Sequence, residues 1–378
     1  MHRQNIMEPT IADIIKAMEI IAPSGLAEKW DNVGLQIGKK NWPVRTIWIA
    51  LDPTPQVVDD ASRNGVDLLI THHPLIFQPL RSIQLERPEG SIIQTALQAQ
   101  MAIFSAHTNF DNANDGLNDA LARRIGLVDL KVLRKSEKDE TYKLVVYVPE
   151  GYEKNILGAL FETNAGEFGS YTGCSFRSKG KGTFKPDTSS KPFSGKIGET
   201  AHVDEVRIET LVRKNDLSRI LEHVRRQHPY ETMAYDIYPL LTAENRHGTG
   251  RIGVLDKKMD LLSFALFIKK KLDLNSIKVA GNHELEVKTA AVCTGSGSSL
   301  LNDFIASEAH VYISGDLGYH AARTIEAANL GLIDIGHFAS EHLIVDVLTK
   351  RLKNVLSETG IDVTIEAYRL ENDPFMIL

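Results

Sequence analysis

Cysteine is nearly absent from this chain: Cys174 and Cys293 are the only two in 378 residues, they lie far apart, and neither belongs to a Cys-x-x-Cys pair. That scarcity excludes a disulfide framework and a thiolate zinc site, and it fits a reducing compartment. Long hydrophobic runs are missing as well. The most apolar stretches, such as Leu261 to Ile268, are far too short to cross a bilayer as a helix. Met1 to Met7 has no signal-peptide apolar core, so the chain is expected to be cytoplasmic with no membrane partner. Nor is there a dense Lys/Arg block. With a formal net charge of -6, the sequence carries no strong nucleic-acid signal and nothing to draw it to anionic membranes. What remains, 43% hydrophobic and 24% charged residues, describes a globular protein with enough chain for two or three cores.

Histidines at the ends of apolar runs are the next feature. Val66-Asp67-Leu68-Leu69-Ile70 runs into Thr71-His72-His73-Pro74. A strand that meets a polar pair and then a proline, which cannot donate to a ladder, ends there. In open α/β sheets ligands gather outside the carboxyl ends of strands. Successive strand residues point to opposite faces, so both histidines reach one place only if the backbone turns, and Pro74 suits such a turn. On these residues alone, a helix cap or a partly buried polar contact competes with metal binding.

Met101 to Ala106 reads as a second short buried strand, ending in His107-Thr108-Asn109-Phe110-Asp111. Asp111 and Asn112 would also serve simply as caps for the helix that follows. Leu332 to Gly336 then delivers His337-Phe338-Ala339-Ser340-Glu341-His342. His337 and Glu341 are four apart and share a face if a helix begins at His337. The plainer reading makes Glu341 a favourable charge in the first turn of a helix.

The pattern between these stretches predicts an α/β chain with an interruption. Helices are expected at Ile11 to Ile21, Thr54 to Asn64, Ser91 to Ala99 and Leu117 to Ile125, and strands at Thr46 to Leu51 and Val66 to Thr71, a β-α-β unit. The style changes near Lys131, where Arg134 to Glu140 reads as a charged linker. Then follow a strand Tyr142 to Val148, a helix Glu153 to Glu162, a hairpin made by Tyr171 to Lys181 and Pro186 to Gly198, a half-exposed strand Val203 to Val212, a helix Leu217 to Gln227 and a strand Met233 to Tyr238. Two β-α-β halves in about a hundred residues describe a ferredoxin-like α+β insert.

Gly248 to Gly253 reads as a flexible re-entry, after which α/β alternation resumes. The expected organisation is therefore residues 1–135 and 246–378 as two halves of one α/β domain, with 136–245 inserted. Cys293 to Ser299 forms a Gly/Ser loop between a strand and a helix, suited either to an anion or to a plain tight turn.

Side chains at strand ends or at the helix start number six: His72, His73, His107, Asp111, His337 and Glu341. One tetrahedral zinc takes four protein ligands at most, so this many candidates suggests two metal ions. Imidazoles and carboxylates without thiolate suit zinc, iron, manganese, cobalt or nickel.

Trp30-Asp31-Asn32-Val33-Gly34, Thr71-His72-His73-Pro74, His107 to Asp111, Gly315-Asp316 and Gly336-His337 with Glu341 together resemble the GTP cyclohydrolase 1 type 2 family, the Nif-three-like dinuclear metal proteins. The segment with His228-Pro229-Tyr230-Glu231 resembles the PII-like insert of the longer bacterial members. The resemblance implies a Nif-three-like α/β core with mixed sheets and a PII-like insert. It implies two divalent metal ions, zinc first among them, on His72, His73, Asp111, His337 and Glu341, with His107 as ligand, ligand-orienting or proton-moving residue. It also implies a homohexameric ring. The expected function is metal-dependent hydrolysis of a nucleotide or other phosphate-containing small molecule, with His107 or His342 moving a proton. The alternative is a metal-binding or regulatory ring without turnover, whose insert senses a ligand or partner.

Overall fold

Runs with no polar alternation, such as Leu68-Leu69-Ile70-Thr71 and Ala102-Ile103-Phe104-Ser105, suit strands covered on both faces. In the computed structural model both lie inside a mostly parallel sheet. The structure describes residues 8–135, 141–168, 171–240 and 247–377. Two compact units result, Met1–Lys135 with Arg246–Leu378, and Ser136–Asn245.

The first unit contains two sheets. One has the order β1 (Gly34–Ile37), β4 (Ala102–Ser105), β3 (Leu68–Thr71), β2 (Thr46–Ala50), β15 (Thr364–Ala367), parallel except for β1. Alternation along β3 assigns its two faces: Leu68 and Ile70 join the core made with Ile14, Met18, Leu348 and Leu352, while Leu69 joins Val58 and Ile93. The first set comes from the helices Ile11–Ile21 and Ile344–Thr359, the second from Pro55–Arg63 and Pro88–Gln98. The other sheet runs β11 (Lys278–Ala280), β14 (Gly331–Asp334), β13 (Val311–Gly315), β12 (Glu286–Ser296), β10 (Gly248–Asp260), β5 (Leu127–Lys135), with β14, β13 and β12 parallel. Its core joins Leu121, Ile125, Phe264 and Ile268 to Val292, Ile313 and Ile333.

Two expected connections are strands. Arg134 and Lys135, read as the start of a linker, end β5, and Gly248 to Gly253, read as a flexible re-entry, opens β10. The glycines misled because here they serve close packing: a Cβ on Gly253 would stand 2.7 Å from a Leu130 methyl and 2.9 Å from the Val128 carbonyl oxygen. β10 pairs with both β5 and β12, so residues 251–254 lie inside the sheet. The rest of the charged stretch, 136–140, lies outside the described residues.

The second unit is a four-stranded antiparallel sheet, β7 (Ser175–Phe184), β8 (Ala201–Arg213), β6 (Thr141–Pro149), β9 (Tyr235–Pro239). The helices Glu153–Phe161 and Leu217–Gln227 bury Ile156, Leu160, Ile220 and Val224 against Leu144, Val146 and Ile208. The order of elements, β-α-β-β-α-β, is the ferredoxin-like arrangement. The second arm of its hairpin is β8, beyond the expected Pro186 to Gly198. No helix among the described residues is long and apolar enough to cross a membrane.

Candidate metal centre

In each sheet of the first unit the carboxyl ends of three neighbouring parallel strands supply one site. From the first sheet, β2 leads to Asp52, β3 to His72 and His73, and β4 to His107. From the second, β12 ends at Thr294 to Ser296, β13 leads to Asp316, and β14 leads to the short helix His337–Glu341. The backbone does turn at the paired histidines. The N–H groups of both His72 and His73 donate to the Leu51 carbonyl, at 3.1 and 3.0 Å, and the two rings approach to 5.2 Å between centroids.

The four imidazoles are held in the same way. Nδ1 of His72 lies 2.9 Å from the Ala106 carbonyl, Nδ1 of His73 2.7 Å from Asp52, Nδ1 of His107 2.9 Å from Asp31, and Nδ1 of His337 2.7 Å from Asp316. Every partner is an oxygen that only accepts, so each Nδ1 is protonated in both charge states and Nε2 carries the lone pair of the neutral ring. An imidazole whose far nitrogen is bonded to a carboxylate or carbonyl is the arrangement that orients a metal-ligating histidine.

The Nε2 atoms face two buried carboxylates. His73 and His337 each bring Nε2 to 3.0 Å from Oε2 of Glu341, and His72 brings Nε2 to 3.6 Å from its Oε1 and 3.7 Å from Oδ1 of Asp111. Nε2 of His72 and Oε2 of Glu341 are fully buried and satisfied by no hydrogen bond. Two lone pairs 3 Å apart repel unless a proton or a cation lies between them. Ligand atoms on one tetrahedral zinc, bound at about 2.0 to 2.1 Å, stand about 3.3 Å apart, close to these separations. Two sets of potential ligand atoms each fit within 4.8 Å, one from His72, His73 and His107, the other from His73, His337 and Glu341. The donor set therefore fits a metal ion.

Electrostatics describe the same competition. Burial opposes charge on His73, yet the hydrogen bond to Asp52 and the Glu341 carboxylate 3.0 Å from its other nitrogen hold its pKa up to about 10. At His337 the contact with Glu341 outweighs burial, and Asp316 adds to it, giving about 9. Burial also opposes charge on both carboxyls. At Glu341 the imidazoles of His72, His337 and His73 overcome it and hold the group well below the carboxylate range. At Asp111 burial prevails over the His72 contact, the Glu341 charge reinforces it, and the pKa is raised.

The chain makes room for this. A Cβ on Gly295 would lie 2.1 Å from Oε1 of Glu341 and 3.5 Å from Nε2 of His337, and its backbone has φ +63°, so glycine is required there. The Gly/Ser loop is thus a wall of the site: Gly295 N–H donates to Ser340 Oγ, and Thr294 Oγ1 donates to Asp111. β12 extends through Ser296, and the helix expected next is a 3-10 turn, Gly297–Leu300, followed by only Leu301–Ile305.

The structure brings His72, His73, His107, Asp111, His337 and Glu341 together. It does not bring in His342, whose ring stacks on Phe338 and whose Nε2 lies 3.6 Å from Glu371. Two participants carried no sequence signal. Asp52 stands just ahead of the helix expected from Thr54, and Glu371 lies in no expected element. Both oxygens of Glu371 accept backbone N–H groups, those of Leu51 and Asp52, at 2.8 Å. It thereby fixes the turn that carries the His73 anchor.

A family model described as Duf34/NIF3 (NGG1p interacting factor 3) matches residues 9–374. Over 365 residues the chain is 38% identical to a Bacillus subtilis (strain 168) protein named GTP cyclohydrolase 1 type 2 homolog, spanning 97% of this chain and 98% of that one. Among solved structures, a Bacillus cereus protein described as related to NIF3 is 37% identical with a TM-score of 0.70, covering 98% of this chain and 99% of its own. A Staphylococcus aureus protein, SA1388, is 30% identical with a TM-score of 0.75 over the same shares.

Proposed function

The chain belongs to the Duf34/NIF3 family, and from that premise we propose that it is a dinuclear metal protein acting as a hydrolase on a nucleotide or another phosphate-containing small molecule. The observation that carries this reading is the pair of buried atoms without hydrogen bonds, His72 Nε2 and Glu341 Oε2, among imidazoles whose opposite nitrogens are all anchored. In this reading His72, His73, Asp111, His337 and Glu341 hold two divalent ions, zinc first among them, with iron, manganese, cobalt and nickel also suited to imidazole and carboxylate ligands. Such ions, when bound, lower the pKa of a shared water and polarise the bond under attack.

The chain's own residues do the rest. Asp52 and Asp316 fix the tautomers of His73 and His337. Glu341, in contact with His72 on one oxygen and with His73 and His337 on the other, would hold metal with both of its oxygens and balance its charge inside the buried site. His107 keeps its Nδ1 proton on Asp31, which leaves Nε2 to hold and return a proton of the attacking water. The relatives' name, GTP cyclohydrolase 1 type 2 homolog, supports a nucleotide substrate. The ferredoxin-like topology of the second unit supports a PII-like insert, 136–245, between the halves of the metal-binding domain. A homohexameric ring and a cytoplasmic location complete the proposal.

Elemental analysis of protein purified without added metal or chelator tests it. Two ions per chain are expected in the wild type, with loss in Glu341→Ala and in Gly295→Ala, whose methyl group would displace Glu341 without removing any ligand. Wild-type protein with one ion or none would overturn the dinuclear reading. Two ions without hydrolysis of GTP or other nucleotides would leave a metal-binding protein and remove the hydrolase.

A further inference from the structure

Trp30 is 59% exposed and Phe77 is 51% exposed, and the two are in contact, with ring centroids 5.7 Å apart. Single exposed apolar residues are ordinary on protein surfaces. This pair differs in position, because the Trp30 ring also meets His107 edge-on at 5.9 Å, and His107 shares a set of potential ligand atoms with His72 and His73. An aromatic surface therefore begins one imidazole away from the metal centre.

The surface is built rather than incidental. Asn32 Nδ2 donates to the Ile76 carbonyl at 2.6 Å, and Gln36 Oε1 accepts from the Ile76 N–H at 3.2 Å. Gln36 Nε2 in turn donates to the Asn32 carbonyl at 2.9 Å. These bonds tie the segment carrying Trp30 to the one carrying Phe77. Between them in sequence, Asp31 accepts from Thr108 N–H and anchors His107. Three consecutive residues thus have three tasks: Trp30 supplies a ring face, Asp31 orients the adjoining imidazole, and Asn32 holds the second aromatic in place. Neither ring faces a core that would account for the ordering, and a preorganised exposed aromatic face favours a flat π-surface.

We propose that Trp30 and Phe77 form a shelf on which a planar heteroaromatic ring of the substrate lies, with its edge directed past His107 toward the metal centre. This deepens the hydrolase reading and rests on it for the direction of the ring, whereas the shelf itself is testable apart from the metal. Stacking of one base on an aromatic side chain is worth about 1–3 kcal/mol, so losing it weakens binding by about fivefold to 150-fold.

Isothermal titration of the full chain, zinc-loaded and after chelator treatment, with guanosine, GTP and ribose 5-phosphate provides the test, alongside metal content and sedimentation. Guanosine and GTP are expected to bind the wild type. Trp30→Ala and Phe77→Ala should each weaken both by about fivefold or more, Trp30→Phe by less, with metal content and assembly unchanged. Ribose 5-phosphate, which has no ring to stack, should show no difference between wild type and variants. Absence of guanosine binding, or equal affinity in Trp30→Ala, overturns the shelf. So does a change of assembly in Trp30→Ala and Phe77→Ala, which would make the patch a contact with a second copy. Ring binding that needs Trp30 in a wild-type chain that takes up no zinc when loaded would keep the shelf and sink the metal reading instead.

Discussion

Two clusters of buried charge lie in the first unit, and they are finished differently. Arg251, 2% exposed, makes four hydrogen bonds, from Nε to Asp119 Oδ2 at 2.8 Å and from its terminal nitrogens to the carbonyls of Gly248, Gly250 and Ala113, with one terminal nitrogen also 2.7 Å from Asp119 Oδ2. The histidine cluster leaves His72 Nε2 and Glu341 Oε2 buried and unsatisfied. A charge buried for architecture is closed by the chain itself, whereas a cluster that the chain closes only on its outer side is shaped for something it does not encode.

The largest expected effect breaks the closed cluster. Arg251→Met leaves Asp119 buried without its partner and three carbonyls without donors, and should cost about 3–5 kcal/mol of stability. Asp119 comes from the helix Leu117–Arg124 and Arg251 from β10, so the pair joins the two separated halves of the unit. Urea unfolding measures the loss. The metal content of whatever fraction remains folded should equal that of the wild type. A small stability change would show that the halves are joined mainly by apolar packing.

A smaller effect comes from protons competing at the open cluster. In the metal-free protein His73 titrates near 10 and His337 near 9, so both carry at pH 7 a proton that an ion must displace. Apparent metal affinity should therefore rise with pH from about 6.5 toward 9, by up to about a hundredfold per unit where both protons leave. Titrations in buffers of different ionisation enthalpy would count them. Stability of the metal-free form should move the other way. Raised imidazolium pKa values contribute stability that is complete below the ordinary histidine value of 6.5 and is lost as pH climbs through 9 to 10. A proton count of zero would mean that the contacts with Glu341 are not proton-bridged.

The two clusters also differ in how much of them the sequence reveals. His72, His73, His107 and His337 were legible because each follows a short, mainly apolar strand, and strand ends are where α/β sheets concentrate ligands. The spacing of His337 and Glu341 was legible because one helical turn joins them, and that helix spans His337–Glu341. Asp52 was not, because its role depends on His73, 21 positions away, across the pairing of β2 with β3. Glu371 acts across 319 and 320 positions, a separation that no local pattern encodes. Arg251 was hidden by its neighbours. Gly248, Gly250 and Gly253 signal a loop locally, and only the sheet shows that small residues let β10 pass between β5 and β12. The ferredoxin-like unit was readable because its periodicities switch cleanly between strand and helix.

The smallest effect concerns the anchors behind the ligands. Asp52→Asn and Asp316→Asn each replace a carboxylate that holds an Nδ1 proton by an amide that holds it less strongly, leaving the ligands themselves in place. Losing such a partner typically costs 10–100-fold in metal affinity. Asp52 should lie at the upper end: its backbone is tied by Glu371, and its imidazole is only 25% exposed. Asp316 should lie at the lower end, since it is 51% exposed and the His337 ring 37%, so water can replace part of what the carboxylate supplies. Competition with a chromogenic chelator gives both numbers on one scale. If the order is reversed, the left-handed backbone of Asp316, at φ +54°, constrains the site more than burial does. If neither variant loses affinity, the anchored Nδ1 atoms belong to the same closed architecture as Arg251, and the contrast between the two clusters fails.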